Sequence, residues 1–314
     1  MVPPARRLAL GLPIDAAGGN VAVLGALPVL VRWLRGIRPD WLHAHYLTSH
    51  GTLAWLAQRL GRVGGRLVAS AWGSDILVTP RRSRIARALT RRVLRAAVLC
   101  TSDSQAMAVA MRELGAGEVM VFPFGLESMP PVPTTKDPDL VFANRGLEPL
   151  YDPLRMLQVF TAMRAWRPGL QLVVANDGSL RPPLEAAAAA QGLGSAVRFV
   201  GRLDARTQDR WYAQATWYLS VPRSDSVSVS VLEAMAHGCL PVLSSLDANR
   251  ELVRHAVNGL ILDEGQVPHP SELDALAGRS SAIAGENRRW VQQHALFGPS
   301  VEAFVARLRA LAAA

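Results

Sequence analysis

The sequence runs to 314 residues, half of them hydrophobic, with a formal net charge of +9. That gives room for two ordinary domains with full cores, and it excludes a disulfide-stapled miniature or a disordered chain. Cys100 and Cys239 allow one bridge at most, and each lies beside an apolar run, which reads as a buried thiol in a reducing compartment.

In chain order, residues 1–20 are weakly patterned, with Pro3, Pro4, Gly18 and Gly19 among them. The apolar run at 21–31 contains Pro28 and is too short for a bilayer, which takes about 20 apolar residues. Residues 1–7 do not open a signal peptide either, so a cytoplasmic protein is expected. A helix is predicted over 21–38, stopping before Pro39, then a strand at 40–46. A helix at 48–60 follows, with Gly61 as its stop. The strand at 66–72 ends in Gly73-Ser74-Asp75. Helix 81–95, strand 97–101, helix 103–114 and strand 119–122 complete the first half.

Residues 127–139 carry four prolines and read as a linker. Asp137-Pro138-Asp139 inside it reads as a turn rather than a metal motif. Strands are then expected at 140–144, 171–175, 197–200, 216–221, 240–244 and 260–262, with helices between them at 184–191 and 204–213 among others. An amphipathic helix at 301–313 closes the chain. Strand–helix alternation twice over predicts two doubly wound α/β domains facing each other across a cleft. The boundaries are 1–126, a linker at 127–139, a second domain at 140–298 and a C-terminal helix at 299–314.

The most informative stretch is 217–251. An apolar strand leads to the polar turn Pro222-Arg223-Ser224-Asp225-Ser226, then to a helix running to Gly238. A second strand and loop follow. In parallel sheets ligands sit beyond the carboxyl ends of the strands, where Asp225 and Ser226 fall. The helix start, with Ser228, Val229 and Ser230, offers unpaired amides and the positive end of a dipole, which suits a phosphate. Asp225 and Glu233 frame that start. Carboxylates repel phosphate, so they pair with hydroxyls, and sugar hydroxyls donate. Together these point to a nucleotide sugar.

Asp225-x7-Glu233 followed by Ala-Met-Ala-x-Gly-x-x-Pro-Val resembles the donor motif of family-four retaining glycosyltransferases with the GT-B fold. The family usually has Glu at the first position, so Asp225 is one carbon shorter. The resemblance implies that Asp225 binds the transferred sugar and Glu233 the nucleotide ribose, and that no metal or further cofactor is needed beyond the nucleotide-diphosphate sugar donor. It implies a diphosphate partner in Arg145, within Asn144-Arg145-Gly146 at a strand end. The lysine that usually follows is missing, so Arg223 or Arg250 is the candidate second cation. Asn176-Asp177-Gly178 corresponds to a Gly-rich turn whose role is backbone shape. Family members often carry a His near the position of Trp72, and here Asp75 is the nearest polar replacement. It is a candidate substrate contact or a plain turn aspartate. His45, sharing a strand face with His43, is either an acceptor-side residue or a histidine satisfied at a strand end. With His50 the pair lacks the further ligands a metal needs.

The family also begins with a strand and a Gly-Gly loop. Gly18-Gly19 is a weak match, and the chain is expected to lack the first strand–helix unit.

The charge is lopsided. Residues 1–126 carry a net +10 and residues 127–314 a net −1. Within helix 81–95, Arg84, Arg87, Arg91 and Arg95 make one stripe, which is either a solvated face or a dock for anionic lipid at the inner face of a membrane. No nucleic-acid motif appears, and nucleic acid is not an expected partner. The expected function is transfer of a sugar to a hydroxyl of a glycan or lipid-linked acceptor. The alternative is a non-catalytic nucleotide-sugar-binding protein, with nucleic-acid binding a weaker third.

Overall fold

The computed structural model describes residues 8, 9 and 21–313. Gly18-Gly19 lies outside the described residues. The chain divides into two compact units, Met1–Phe122 and Pro123–Ala314.

Among the described residues of the first unit four parallel strands stand in the order β1 (Trp41–His45), β2 (Arg66–Ser70), β3 (Leu99–Ser102), β4 (Val119–Val121). Helices α1 (Leu27–Ile37), α2 (Thr52–Arg59), α3 (Ser74–Leu77), α4 (Thr79–Arg82), α5 (Arg84–Ala96) and α6 (Gln105–Glu113) connect and cover them. Leu67, Ala69, Cys100, Val93, Met107 and Met111 meet in its core. Both cysteines are free and buried. Burial pushes the Cys100 thiol up to about 12.

Two predicted helices are broken where a local residue dictates it. Residues 21–38 form a 3₁₀ segment, Val21–Ala26, and then α1, which starts so that Pro28 sits in its first turn. There the missing N–H costs nothing. Residues 81–95 divide at Ser83, whose extended backbone ends α4 and whose Oγ accepts from the Ala86 amide at 3.2 Å to start α5. The seven arginines of this region therefore belong to two helices.

The second unit is a six-stranded parallel sheet in the order β10-β9-β8-β5-β6-β7. Its strands are β5 (Asp137–Ala143), β6 (Gln171–Ala175), β7 (Val197–Gly201), β8 (Ala215–Ser220), β9 (Leu240–Ser244) and β10 (Leu260–Leu262). The helices between and after them are α7 (Pro153–Trp166), α8 (Arg181–Ala190), α9 (Ala205–Gln214), α10 (Val229–Ala236), α11 (Asp247–Leu252), α12 (Pro270–Ala277), α13 (Ser280–His294) and α14 (Phe297–Ala313). Strand β5 begins three residues earlier than predicted, so Asp137-Pro138-Asp139 is strand rather than turn, with Asp139 paired to Arg167.

Both faces of this sheet are buried, which is why its strands read as continuous apolar runs. Val141, Trp217 and Leu219 enter one core, while Phe142, Tyr218 and Leu232 enter the other. The chain starts in the middle of the sheet at β5, winds outward to β7, then returns to lay β8 on the other side of β5. The order of strands reverses between β5 and β8, the switch point at whose carboxyl ends sheets of this kind bind ligands.

Asp75 is corrected by its surroundings. It is fully buried, its Oδ2 accepts from the Leu47 amide at 2.8 Å, and its Oδ1 accepts from the Trp72 amide at 2.9 Å. Burial pushes its carboxyl above the ordinary range, and the amides pull it back. It ties the loops after β1 and β2 together and has no surface to offer a substrate. Asp75→Ala leaves two buried amides unpaired and is expected to lower unfolding free energy by about 2–5 kcal/mol in urea titrations. Asp75→Asn, which keeps one acceptor, loses less. A loss below about 0.5 kcal/mol for the alanine variant would refute this role.

Candidate active site

Two loops meet at the carboxyl ends of β5 and β8. One follows β5 and begins Asn144-Arg145. The other follows β8, carries Asp225, and enters α10 at its N-cap, Ser228. Arg145 joins them. Its Nη1 donates to Ser228 Oγ at 2.5 Å and its Nη2 to Asp225 Oδ2 at 2.5 Å. The guanidinium lies over the Tyr151 ring, 4.6 Å from the centroid, and Nε has no hydrogen-bond partner among the described residues. Burial opposes the Arg145 charge, and Asp225, foremost among its neighbours, more than restores it. Burial likewise raises the Asp225 carboxyl, with Arg145 pulling the other way.

Ser228 occupies the capping position of α10, yet its side chain makes no cap. Its hydroxyl is engaged by Arg145 instead. The first-turn amides of Val229 and Ser230 therefore keep their donors for an outside acceptor. Ser226 is buried beside them, its amide donating to Asp225 Oδ1 at 3.0 Å. Gly178, after β6, packs against the loop after β5. A Cβ there would lie 2.3 Å from the Leu147 carbonyl oxygen, so only glycine fits.

Glu233 lies one turn into α10. Its Oε2 accepts from Tyr212 Oη at 3.0 Å and from Gln208 Nε2 at 3.3 Å, both on α9. Tyr212 Oη accepts in turn from Asn144 Nδ2 at 2.7 Å, and Asn144 Oδ1 accepts from Tyr218 Oη at 2.9 Å. This chain of buried polar groups runs from β8 through β5 and α9 to α10. Burial raises the Glu233 carboxyl, and the Tyr212 hydrogen bond opposes the rise. Tyr212, Tyr218 and Gln208 were not legible as site residues. Tyr218 lies in an otherwise apolar strand, and the one available signal was that a buried tyrosine hydroxyl requires a partner.

The two candidate second cations are placed elsewhere. Arg223, with its side chain 68% exposed, donates from Nε to Asp152 at 2.7 Å, and Arg250 donates to Ser245 and Asp263. Neither bonds the Arg145 cluster.

In the first unit, His45 is exposed at the end of β1. Its Nδ1 accepts from Trp72 Nε1 at 3.2 Å, and its ring lies 4.2 Å from that of His43. Partial burial of the ring, with His50 nearby, lowers its pKa, and burial beside His45 lowers that of His43 to about 4, so both rings are neutral at neutral pH. Among the described residues no group of three His, Cys, Asp or Glu is placed to hold a metal ion.

Residues 138–274 match the family of group 1 glycosyl transferases, and residues 14–104 match that of glycosyl transferase 4-like proteins. No functionally curated protein matches the chain. Among solved structures, Anabaena HepE in complex with UDP-glucose is similar, with a TM-score of 0.74 and 17% identity over 92% of this chain and 82% of that one. Sucrose-phosphate synthase from Thermosynechococcus elongatus gives a TM-score of 0.72 and 16% identity, covering 95% and 81%. A variant of S. aureus TarM bound to UDP gives 0.74 and 9%, covering 89% and 58%. Two parallel-sheet domains of this kind make the GT-B fold that these structures share. The two family matches point, each over its own part of the chain, to glycosyltransferases of the family-four type.

The Arg145–Asp225 pair is largely enclosed, with side chains 18% and 22% exposed. Removing one partner leaves the other charge stranded. A double-mutant cycle with Arg145→Met and Asp225→Asn should give a coupling of about 1–3 kcal/mol in unfolding experiments. Strict additivity would show that the pair does not hold the two loops together.

Proposed function

We propose that the protein is a retaining glycosyltransferase that takes its sugar from a nucleoside diphosphate, with a UDP-sugar the first candidate because HepE binds UDP-glucose. The observation that carries this reading is Arg145 gripping Asp225 and Ser228 at the strand-order reversal. The diphosphate is held by the Val229 and Ser230 amides and by Arg145, whose guanidinium can serve phosphate oxygens. Glu233 accepts from the ribose hydroxyls, and Asp225 orients the transferred sugar. The acceptor hydroxyl attacks from the face the diphosphate leaves, and the leaving phosphate takes its proton. The protein contributes positioning and charge stabilisation rather than a covalent intermediate. His45, neutral and exposed, is the acceptor-side residue of the first unit. The acceptor is a hydroxyl of a glycan or lipid-linked glycan.

Calorimetric titration with UDP-glucose, UDP-N-acetylglucosamine and GDP-mannose tests the donor. One of them should bind, and Glu233→Ala should weaken it by about tenfold to a hundredfold, the worth of charge-assisted hydrogen bonds. The raised Glu233 carboxyl sets the pH dependence. Acidification protonates it at a higher pH than an ordinary glutamate, so affinity falls early on the acid side. Tyr212→Phe removes the hydrogen bond that lowers this pKa and should move the fall to still higher pH. No binding of any donor, or a Glu233→Ala variant that binds equally well, overturns the reading.

A peripheral membrane association is also proposed. Arg84, Arg87, Arg91 and Arg95 are exposed on α5 with no carboxylate partner among the described residues, and Ile85 beside them is 76% exposed. No described helix is long and apolar enough to cross a membrane. Cosedimentation with phosphatidylserine vesicles at low salt should be lost on charge reversal of Arg84, Arg87 and Arg91, and absent with phosphatidylcholine alone. Binding indifferent to lipid charge refutes it.

A further inference from the structure

Glu233 is held by its own domain through one oxygen. Oε2 accepts from Tyr212 Oη and Gln208 Nε2, whereas Oε1 accepts from no described residue. Where the free oxygen points therefore depends on what grips the other. Tyr212 is the tighter grip, at 3.0 Å against 3.3 Å for Gln208.

Tyr212 has one proton and two acceptors on the α10 side. Its Oη lies 3.0 Å from Glu233 Oε2 and 3.2 Å from the Ser230 carbonyl oxygen. The carboxylate is nearer and charged, so it takes a proton that is turned toward α10. Whether the proton turns that way is decided deeper in the domain. Tyr212, on α9, and Tyr218, on β8, are fully buried. Asn144 stands between their hydroxyls, 2.7 Å from the first and 2.9 Å from the second.

A carboxamide has a donor end and an acceptor end, so its orientation sets the protons of both neighbours. With Nδ2 on Tyr212, the tyrosine oxygen receives a hydrogen bond and its own proton is directed outward. With Oδ1 on Tyr212, the proton would turn inward and Glu233 would lose it. Tyr218 selects the first arrangement. Its hydroxyl donates to Oδ1, which leaves Nδ2 for Tyr212. The bonds then run one way, from Tyr218 through Asn144 and Tyr212 to Glu233.

We propose that Asn144 is a positioning residue, and that the direction of this relay aims Glu233 Oε1 at the nucleotide ribose. Asn144 is itself buried and acts only through Tyr212. The consequence is selectivity. An Oε1 held in place accepts from the 2′- and 3′-hydroxyls and separates a ribonucleotide from one that lacks them. This rests on the ribose role of Glu233 proposed above.

Calorimetry on the full chain compares UDP and GDP with their 2′,3′-dideoxy forms. The wild type should prefer the ribonucleotide by about tenfold or more. Asn144→Asp sets an acceptor against both tyrosines, so Tyr212 turns its proton inward, and the preference should fall to within about threefold. Tyr218→Phe keeps the ring and frees the amide to turn, and should lower the preference by about threefold. A substitution that only loosened the domain would weaken both members of a pair alike and leave their ratio intact. Circular dichroism checks folding, and if Asn144→Asp misfolds, Tyr218→Phe decides alone. A wild-type ratio in the folded variants overturns the relay while sparing the ribose role of Glu233. A wild type that shows no preference, or binds none of these nucleotides, overturns both.

Discussion

Arg145 carries a full charge into a largely enclosed corner, and such a charge is tolerated only when every neighbour answers it. Asp225 supplies the countercharge, Ser228 accepts a second hydrogen bond, and the Tyr151 ring lies against the guanidinium plane. The partners come from different loops, so the arginine sets the spacing between the end of β5 and the start of α10. Because Ser228 answers Arg145, it does not cap its own helix. The same contact that holds the loops together therefore leaves the helix amides open. The residue before Arg145 works in the opposite direction. Asn144 turns into the interior and joins Tyr218 to Tyr212, and through it to Glu233. Two consecutive residues at one strand end thus organise both acids of the motif.

That division explains what could be read from the chain alone. The strands of the second unit were legible because both faces of the sheet are buried, and their apolar runs bear no other reading. Asp225 and Glu233 stood out because they sit in one run, 217–251, whose order along the chain is informative, and Arg145 stood out because it ends a strand. The buried network was not, since Asn144 and Tyr212 lie 68 positions apart and only the sheet order brings them together. Asp75 stayed open between two readings for a related reason. An aspartate after a strand looks the same in sequence whether its oxygens face a substrate or two amides. Helix breaks before Pro28 and at Ser83 were hidden by helical periodicity on either side, where a proline that fits only the first turn, or a single capping bond, outweighs the pattern.

The first unit shows a different economy. Its polar interior fixes loops and ties strands: Asp75 holds two loop amides, and Ser70 on β2 bonds Thr101 on β3 at 2.6 Å. Its charge is carried outside, on arginines of α5 that find no acidic partner among the described residues. At ordinary ionic strength such charges are screened within about 8 Å, so they act on what comes close rather than on the fold. This is the reverse of the second unit, where the arginine at the strand ends is enclosed and paired.

Lys136 is the only lysine in the chain. Its ammonium donates to the carbonyls of Tyr212 and Ala215 at 2.8 and 2.6 Å and lies 3.4 Å from Cys239 Sγ, and burial lowers its pKa. A surface rich in arginine and bare of lysine is nearly inert to amine-directed chemistry. Acylating labels, amine cross-linkers and lysine-targeted modification find one side chain, and it is engaged in closing the turn between α9 and β8. Reaction there, read apart from the α-amino group of the chain, reports the opening of that corner, which makes a single side-chain amine a probe of local unfolding.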